Sequence, residues 1–107
     1  MLSDKTIMDA AHRAASIASS PARIIVFGSY ARGDADEGSD LDLLVIEREV
    51  IDKAAEYFKL HRAVGSIGVG VDVLVLSHDE FERRSRVPGT IPYWAKKEGK
   101  VLYDAGA

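Results

Sequence analysis

The chain of 107 residues is 47% hydrophobic and 29% charged, which is typical of one globular domain with a single core. It contains no cysteine, which excludes a disulfide framework and a thiolate metal site and fits a cytoplasmic protein. The net charge of −3 argues against a protein that holds long nucleic acid. Neither a secretory leader nor an apolar run of about 20 residues is evident, so we expect no membrane span.

Hydrophobic periodicity and turn residues predict alternating helices and strands in one domain over residues 1–107. The predicted elements are a helix over 4–19, a strand over 23–28, a helical turn over 29–33, a strand over 40–47, a helix over 49–64, a strand over 68–77, a short helix capped by Ser77, a helix ending at Gly99 and a strand over 101–103. In the helix over 49–64, an apolar stripe is expected to face the core; it consists of Val50, Ile51, Ala54, Ala55 and Phe58. The alternation predicts an α/β fold with one sheet covered by helices.

Two carboxylates stand at the start of the strand "DLDLLVIE". Asp40 and Asp42 share one face of that strand, about 7 Å apart, because side chains alternate along a strand. Carboxylates this close repel each other unless a cation or a proton lies between them. Taken alone, the pair has a simpler explanation, in which both side chains only begin the strand in solvent.

A third carboxylate makes the metal-site explanation stronger. Asp72 is the only polar residue in "VGVDVLVL", and a buried ionised carboxylate is costly unless it is paired. It could instead form an ion pair with Arg23 or Arg32, or lie at an exposed strand end. If the two strands are neighbours, Asp72 joins Asp40 and Asp42 in an oxygen-ligand site suited to Mg²⁺ or Mn²⁺.

The dipeptide Gly28-Ser29 follows a buried strand and precedes a short helical turn. A glycine there allows a tight turn and a close approach of backbone N–H groups to an anion. The hydroxyl of Ser29 can add a donor, and Arg32 can add a positive charge. Together with the carboxylates downstream, this arrangement predicts a site for phosphate and a divalent metal.

The stretch "GSYARGDADEGSDLDLLV" resembles the signature of the DNA polymerase beta-like nucleotidyltransferase superfamily, and its spelling is similar to the minimal nucleotidyltransferase (MNT) branch. That signature is Gly-Ser, about ten residues, an Asp-x-Asp strand and a third Asp, here Asp72. The resemblance implies a two-layer α+β domain with a small mixed β-sheet and helices packed against it. It also implies Mg²⁺-dependent transfer of a nucleoside monophosphate from a nucleoside triphosphate to a hydroxyl.

The resemblance also implies a role for each site residue. Asp40 and Asp42 hold one metal ion against the triphosphate, and a second ion is shared with Asp72, which accepts the proton of the attacking hydroxyl or orients it. Gly28 and Ser29 grip the triphosphate, and Arg32 is expected to add a positive charge there.

In the MNT branch the usual partner is a small helical HEPN protein, and the pair resembles a toxin–antitoxin system in which AMP from ATP is added to a HEPN tyrosine. This makes a partner-modifying enzyme the leading hypothesis. The alternatives are a binding module that neutralises the partner by contact and a small-molecule transferase that acts as a homodimer. Tyr93 and Trp94 are predicted to be core or interface residues rather than a base-stacking platform.

Overall fold

The computed structural model describes residues 1–106 and contains five helices and four strands in this range. In chain order the elements are α1 (Asp4–Ile17), β1 (Pro21–Phe27), α2 (Ser29–Arg32), β2 (Leu41–Glu47), α3 (Lys53–Val64), β3 (Val71–Ser77), α4 (His78–Arg84), α5 (Ile91–Glu98) and β4 (Lys100–Asp104). Every predicted element is present, with ends that differ from the prediction by up to four residues. None of the helices in residues 1–106 has the length and apolar character needed to cross a membrane.

Side-chain caps fix where four of the helices begin. The side-chain oxygens of Ser3, Asp52, Ser77 and Thr90 each accept a hydrogen bond from a backbone N–H in the first turn of the following helix. Such a cap satisfies one of the N–H groups that have no partner within the helix. The cap on α3 places its start at Lys53, later than the predicted residue 49.

The four strands form one mixed sheet in the order β3-β2-β1-β4. Strands β2 and β3 are parallel, whereas β1 is antiparallel to both β2 and β4. This confirms the predicted small mixed sheet with helices packed against it. The parallel pairing is important for function because it brings the starts of β2 and β3 to the same edge of the sheet.

Both faces of the sheet are buried, as the alternation along β2 predicts. Leu41, Leu43 and Val45 belong to the larger core, which includes buried residues of α1 and α3. Leu44 and Ile46 point to the opposite face, where α4 and α5 contribute Phe81 and Ala95. The centre of β2 is therefore rigid, and the aspartates lie at its solvent end.

The prediction for the buried face of α3 is wrong. Ile51 precedes the helix and is 95% exposed, and Phe58 is 65% exposed. The buried residues of α3 are Glu56, Leu60 and Val64, four positions apart. Of the predicted stripe, Val50 lies before the helix and is partly buried against the larger core, whereas Ala54, Ala55 and Phe58 lie on the solvent face of α3.

Glu56 is buried because it belongs to a carboxyl pair beneath the α1–β1 turn. It accepts hydrogen bonds from the backbone N–H of Ser19 (3.0 Å) and the hydroxyl of Ser19 (2.8 Å), and it forms an ion pair with Lys59 (3.0 Å). Its neighbour Glu47 is fully buried and accepts a hydrogen bond from the backbone N–H of Ser20 at 2.9 Å. The second oxygen of Glu47, Oε2, finds no donor among residues 1–106, so it can bond to Glu56 only when it carries a proton.

Candidate functional site

The parallel pairing of β2 and β3 places Asp42 directly opposite Asp72. Adjacent strands lie about 4.8 Å apart, so side chains at paired positions are neighbours on one face. Burial raises the pKa of Asp42 to about 6, with further contributions from a hydrogen bond to Asp72 and from the charges of Asp72 and Asp40. The structure thus brings together the two aspartates that the sequence could only place on separate strands.

Asp72 differs from the sequence prediction in its environment, because its side chain is exposed. It is the second residue of β3, and the buried part of that strand begins at the next residue, Val73. The apolar run in the sequence therefore does not enclose Asp72. Asp72 lies at an exposed strand end, which is one of the alternatives that the sequence allowed. Its carboxylate is therefore accessible to a substrate.

Neither arginine considered as an ion-pair partner of Asp72 fills that role. Arg23 lies 3.8 Å from Glu82, and its guanidinium is stacked 5.2 Å from the ring centroid of Phe81. Arg32 forms ion pairs with Asp34 and Glu98. Within residues 1–106, no ion pair to Asp72 is formed.

Asp40 lies just before β2 and is exposed. The backbone N–H of the next residue, Leu41, donates to the carbonyl oxygen of Gly70 at 2.9 Å, which ties the segment before β2 to the segment before β3. A β-carbon at Gly70 would overlap the carboxylate of Asp40. Gly70, which the sequence marked only as the approach to β3, therefore makes room for a site residue.

Gly28 makes a similar close approach to Asp42. Its φ of +73° lies in the region that favours glycine, and a β-carbon there would overlap the carboxylate of Asp42. Ser29 follows at the start of α2 and is partly exposed. The predicted Gly-Ser turn is thus confirmed as a turn, and it lies against the central carboxylate.

Arg32 lies on the same side of the site but is already paired. Its guanidinium is 3.2 Å from Asp34 and 3.4 Å from Glu98, and its side chain is 45% exposed. Its positive charge lowers the pKa of Asp42, although this effect is smaller than those that raise it. Arg32 therefore contributes a positive field at the site and links α2 to α5.

An open cleft of about 650 Å³ adjoins Asp42, the Gly28-Ser29 turn and Arg32. Its polar lining includes Gly28, Ser29, Arg32 and Asp42, and α5 contributes Ile91, Trp94 and Glu98. The sequence prediction of Trp94 as a core or interface residue did not anticipate its place in this cleft. Only the pairing of β4 with β1, which brings α5 to the end of β1, reveals it.

The three aspartates fit a divalent metal in their chemistry, although they do not form a finished cage. Residues 1–106 contain no group of three or more His, Cys, Asp or Glu side chains arranged to hold a metal ion as they stand. However, Asp42 is crowded by Asp72 and Asp40, and two glycines leave space for these carboxylates. A hard cation relieves such crowding, and carboxylate oxygens are its preferred ligands.

Comparison with known proteins assigns the family. The model of the nucleotidyltransferase domain family matches residues 8–104, which include all six residues singled out from the sequence. The chain belongs to the nucleotidyltransferase domain family. The sequence resemblance to this superfamily is thereby confirmed, and the protein is an enzyme of the nucleotidyltransferase kind.

Two relatives in Methanocaldococcus jannaschii carry the name "putative protein adenylyltransferase". One is 32% identical over 81 residues, which is 76% of this chain and 77% of the relative. The other is 61% identical over 28 residues, which is 26% of this nucleotidyltransferase and only 28% of the relative's length.

Solved structures share the fold of this nucleotidyltransferase. One, described as a "putative nucleotidyltransferase" from Sulfolobus solfataricus, has a TM-score of 0.66 and 22% identity over 95% of this chain and 80% of that chain. Another, a toxin–antitoxin with AMP-PNP, has a TM-score of 0.59 and 22% identity over 97% of this chain and 75% of that chain. At this level of identity, the likeness shows a common fold.

Proposed function

We propose that this nucleotidyltransferase transfers AMP from ATP to a hydroxyl group presented by a partner protein. The observation that carries the proposal is the pairing of Asp42 with Asp72, where Asp42 also lies against Gly28 and lines an open cleft. The names of the M. jannaschii relatives support a protein as the acceptor, and the toxin–antitoxin with AMP-PNP supports both the nucleotide and a partner.

In this proposal the residues of the chain bind and orient the reactants. The turn at Gly28 and the hydroxyl of Ser29 hold the triphosphate, and Arg32 offsets part of its negative charge. The acceptor oxygen forms a bond to the α-phosphorus, the bond from that phosphorus to the bridging oxygen breaks, and pyrophosphate leaves. The exposed carboxylate of Asp72 takes the proton of the hydroxyl.

The charge of the site explains why a divalent metal belongs to the proposal. Asp40, Asp42 and Asp72 would hold Mg²⁺, with Mn²⁺ as a substitute and two ions in the full site. When bound, such ions neutralise phosphate charge and lower the pKa of the attacking hydroxyl. Without a cation, the three carboxylates would repel the triphosphate, so we expect binding and transfer to require the metal.

We further propose that the acceptor is a tyrosine of a HEPN-type helical protein and that this chain is the antitoxin of the pair. The cleft is open along its length, and residues 1–106 form no second lobe that could enclose a small acceptor. A partner protein can supply the missing wall together with the hydroxyl.

The test is intact-mass spectrometry of the HEPN partner after incubation with this chain, ATP and Mg²⁺. We expect the partner to gain the mass of one or more AMP groups. Asp72→Asn should abolish the gain while the complex still forms, because an exposed carboxylate is replaced by an amide of the same shape. Asp79→Asn is the matched control, since its side chain is 99% exposed on α4, and it should transfer AMP at the wild-type rate.

Other outcomes separate the alternative functions. Full neutralisation of the partner by Asp72→Asn, with no mass gain for the wild type, would establish a contact-only binding module. Transfer to small alcohols without any partner, by a chain that is dimeric in solution, would establish the small-molecule transferase.

A further inference from the structure

The part of the cleft that α5 lines contains two large apolar side chains, Ile91 and Trp94, together with Glu98. Trp94 is 43% exposed and Ile91 is 48% exposed, and both line the cleft that contains Gly28, Ser29 and Asp42. Large apolar side chains left in a concave, partly polar site are typical of a ligand-binding surface. The proposed function assigns Ile91 and Trp94 no part in holding the triphosphate or in proton transfer.

The indole of Trp94 is held in place by its own helix. The ring of Tyr93 meets it edge-on, with centroids 5.3 Å apart and planes at 86°, and the ammonium of Lys97 lies 5.7 Å from its ring centroid. The buried neighbours Pro92 and Ala95 fix α5 against the sheet. The indole is therefore supported by neighbours on α5 and keeps an exposed surface in the cleft.

The far end of α5 is also tied to the phosphate side of the cleft. Glu98 forms the ion pair with Arg32 on α2 at 3.4 Å. This bridge fixes the distance between α5 and the Gly28-Ser29 turn. The cleft therefore offers the Gly28-Ser29 turn and Arg32 to a negatively charged group, and the indole of Trp94 to a flat apolar group.

We infer that Trp94, with Ile91 beside it, is the seat for the base of the nucleoside triphosphate, an inference that rests on the proposed function. The triphosphate lies at the Gly28-Ser29 end and the base stacks on the indole. Every nucleobase has a flat π-face, and stacking on an aromatic side chain is tolerant of base identity. Trp94 thus sets affinity for the nucleoside part of the substrate and positions it without touching the reacting atoms.

Trp94 is the only tryptophan in the chain, so its fluorescence reports directly on the proposed seat. We expect ATP with Mg²⁺ to quench this fluorescence in a saturable way. Inorganic tripolyphosphate with Mg²⁺, which has no base, should displace ATP and restore the signal. Quenching that tripolyphosphate reproduces in full would overturn the inference, because the signal would then not require a base.

Variants provide a second measurement, by calorimetric titration. Trp94→Ala should weaken ATP binding by at least about fivefold and leave tripolyphosphate binding unchanged, since only stacking is removed. Trp94→Phe keeps an aromatic face and should retain most of the affinity, which also controls for folding. Phe58→Ala, which removes an exposed ring from α3, should bind both probes as the wild type does.

Two results would contradict the inference in different ways. If Trp94→Ala bound ATP as tightly as the wild type while tripolyphosphate still competed, the base seat would be wrong and the phosphate site would stand. If the wild type bound neither ATP nor tripolyphosphate in the presence of Mg²⁺, the proposed function itself would fail and the base seat with it.

Discussion

Two glycines shape the site at the scale of single residues, and they do so by different means. Gly28 combines a positive φ with a close approach to Asp42, so both its backbone and its missing side chain are needed. Gly70 has no positive φ, and only the carboxylate of Asp40 occupies the place of its absent β-carbon. A substitution at Gly70 therefore tests the position of Asp40 without straining the backbone.

We expect Gly70→Ala to impair metal binding with little loss of stability. The new methyl group displaces the exposed carboxylate of Asp40, which can rotate into solvent, so the free energy of unfolding should fall by less than about 0.5 kcal/mol. Affinity for Mn²⁺ in the presence of ATP should fall about tenfold, as it does when a group that positions a metal ligand is lost. The measurements are thermal unfolding and a Mn²⁺ titration.

The matched control is Gly68→Ala. Gly68 has a φ of +95°, and a β-carbon added there would meet nothing within 4 Å, so the variant is strained but clashes with no site residue. It should lose about 1 kcal/mol of stability and keep its affinity for Mn²⁺. The reverse pattern in the two variants would show that Gly70 has no role in placing Asp40.

At the scale of elements, the strands follow from the sequence because their pattern has one physical cause. The alternation along β2 predicts that two sets of side chains are buried on opposite faces of the sheet. The structure confirms this, with Leu41, Leu43 and Val45 in one core and Leu44 and Ile46 in the other. The same alternation correctly placed Asp40 and Asp42 at the solvent end of β2. It could not show the parallel register with β3, which depends on how the chain crosses the sheet.

The helix α3 was harder to predict because its buried stripe contains Glu56. A carboxylate in that stripe removes the contrast between a polar face and an apolar face, so the stripe with Ile51 and Phe58 has the stronger apolar signal. Glu56 is stabilised by Ser19, which lies in the turn between α1 and β1, and by Lys59, which lies three residues later in α3. Only folding brings Ser19 close to Glu56.

Two truncations on α3 test this assignment. Leu60 is fully buried, so Leu60→Ala should reduce the free energy of unfolding by about 2–5 kcal/mol through lost burial and a cavity. Phe58 is 65% exposed, so Phe58→Ala should change it by no more than about 0.5 kcal/mol. Urea denaturation measures both, and a larger loss for Phe58→Ala would show that the apolar stripe is buried after all.

At the scale of the whole molecule, two carboxyl groups at opposite ends of β2 link stability to pH. Burial and a hydrogen bond to Glu56 raise the pKa of Glu47 to about 7, and burial beside Asp72 raises the pKa of Asp42 to about 6. Both groups bind a proton more tightly in the folded state than in the unfolded state. The stability they contribute is therefore fully present below their ordinary pKa values and is lost as the pH rises through about 6 to 7.

Glu56 has the opposite shift but does not act in the same pH range. Burial alone would raise its pKa, yet hydrogen bonds from Glu47, Ser19 and Lys59 lower it well below the usual range. The stability from Glu56 is present above its ordinary pKa and is lost only as the pH falls below about 4. Between about pH 5 and pH 8 the two raised groups dominate.

We therefore expect the free energy of unfolding of the metal-free protein to fall between about pH 5 and pH 8. Glu47→Gln and Asp42→Asn should each remove part of this fall, because an amide resembles the protonated acid and does not ionise. The two effects should add, since five residues of strand, about 17 Å, separate the positions. Glu49→Gln, at an exposed neighbouring position, should leave the fall unchanged.

Mg²⁺ with ATP separates the two contributions. A cation beside Asp42 favours its ionised form, so the ligands should remove the part of the fall that Asp42→Asn removes and leave the part that belongs to Glu47. Urea denaturation at about pH 5 and about pH 8, with and without Mg²⁺ and ATP, measures the contribution of Asp42 and that of Glu47. If the ligands abolished the Glu47 part as well, the carboxyl pair beneath the α1–β1 turn would be coupled to the site across the sheet, and the two ends of β2 would not act independently.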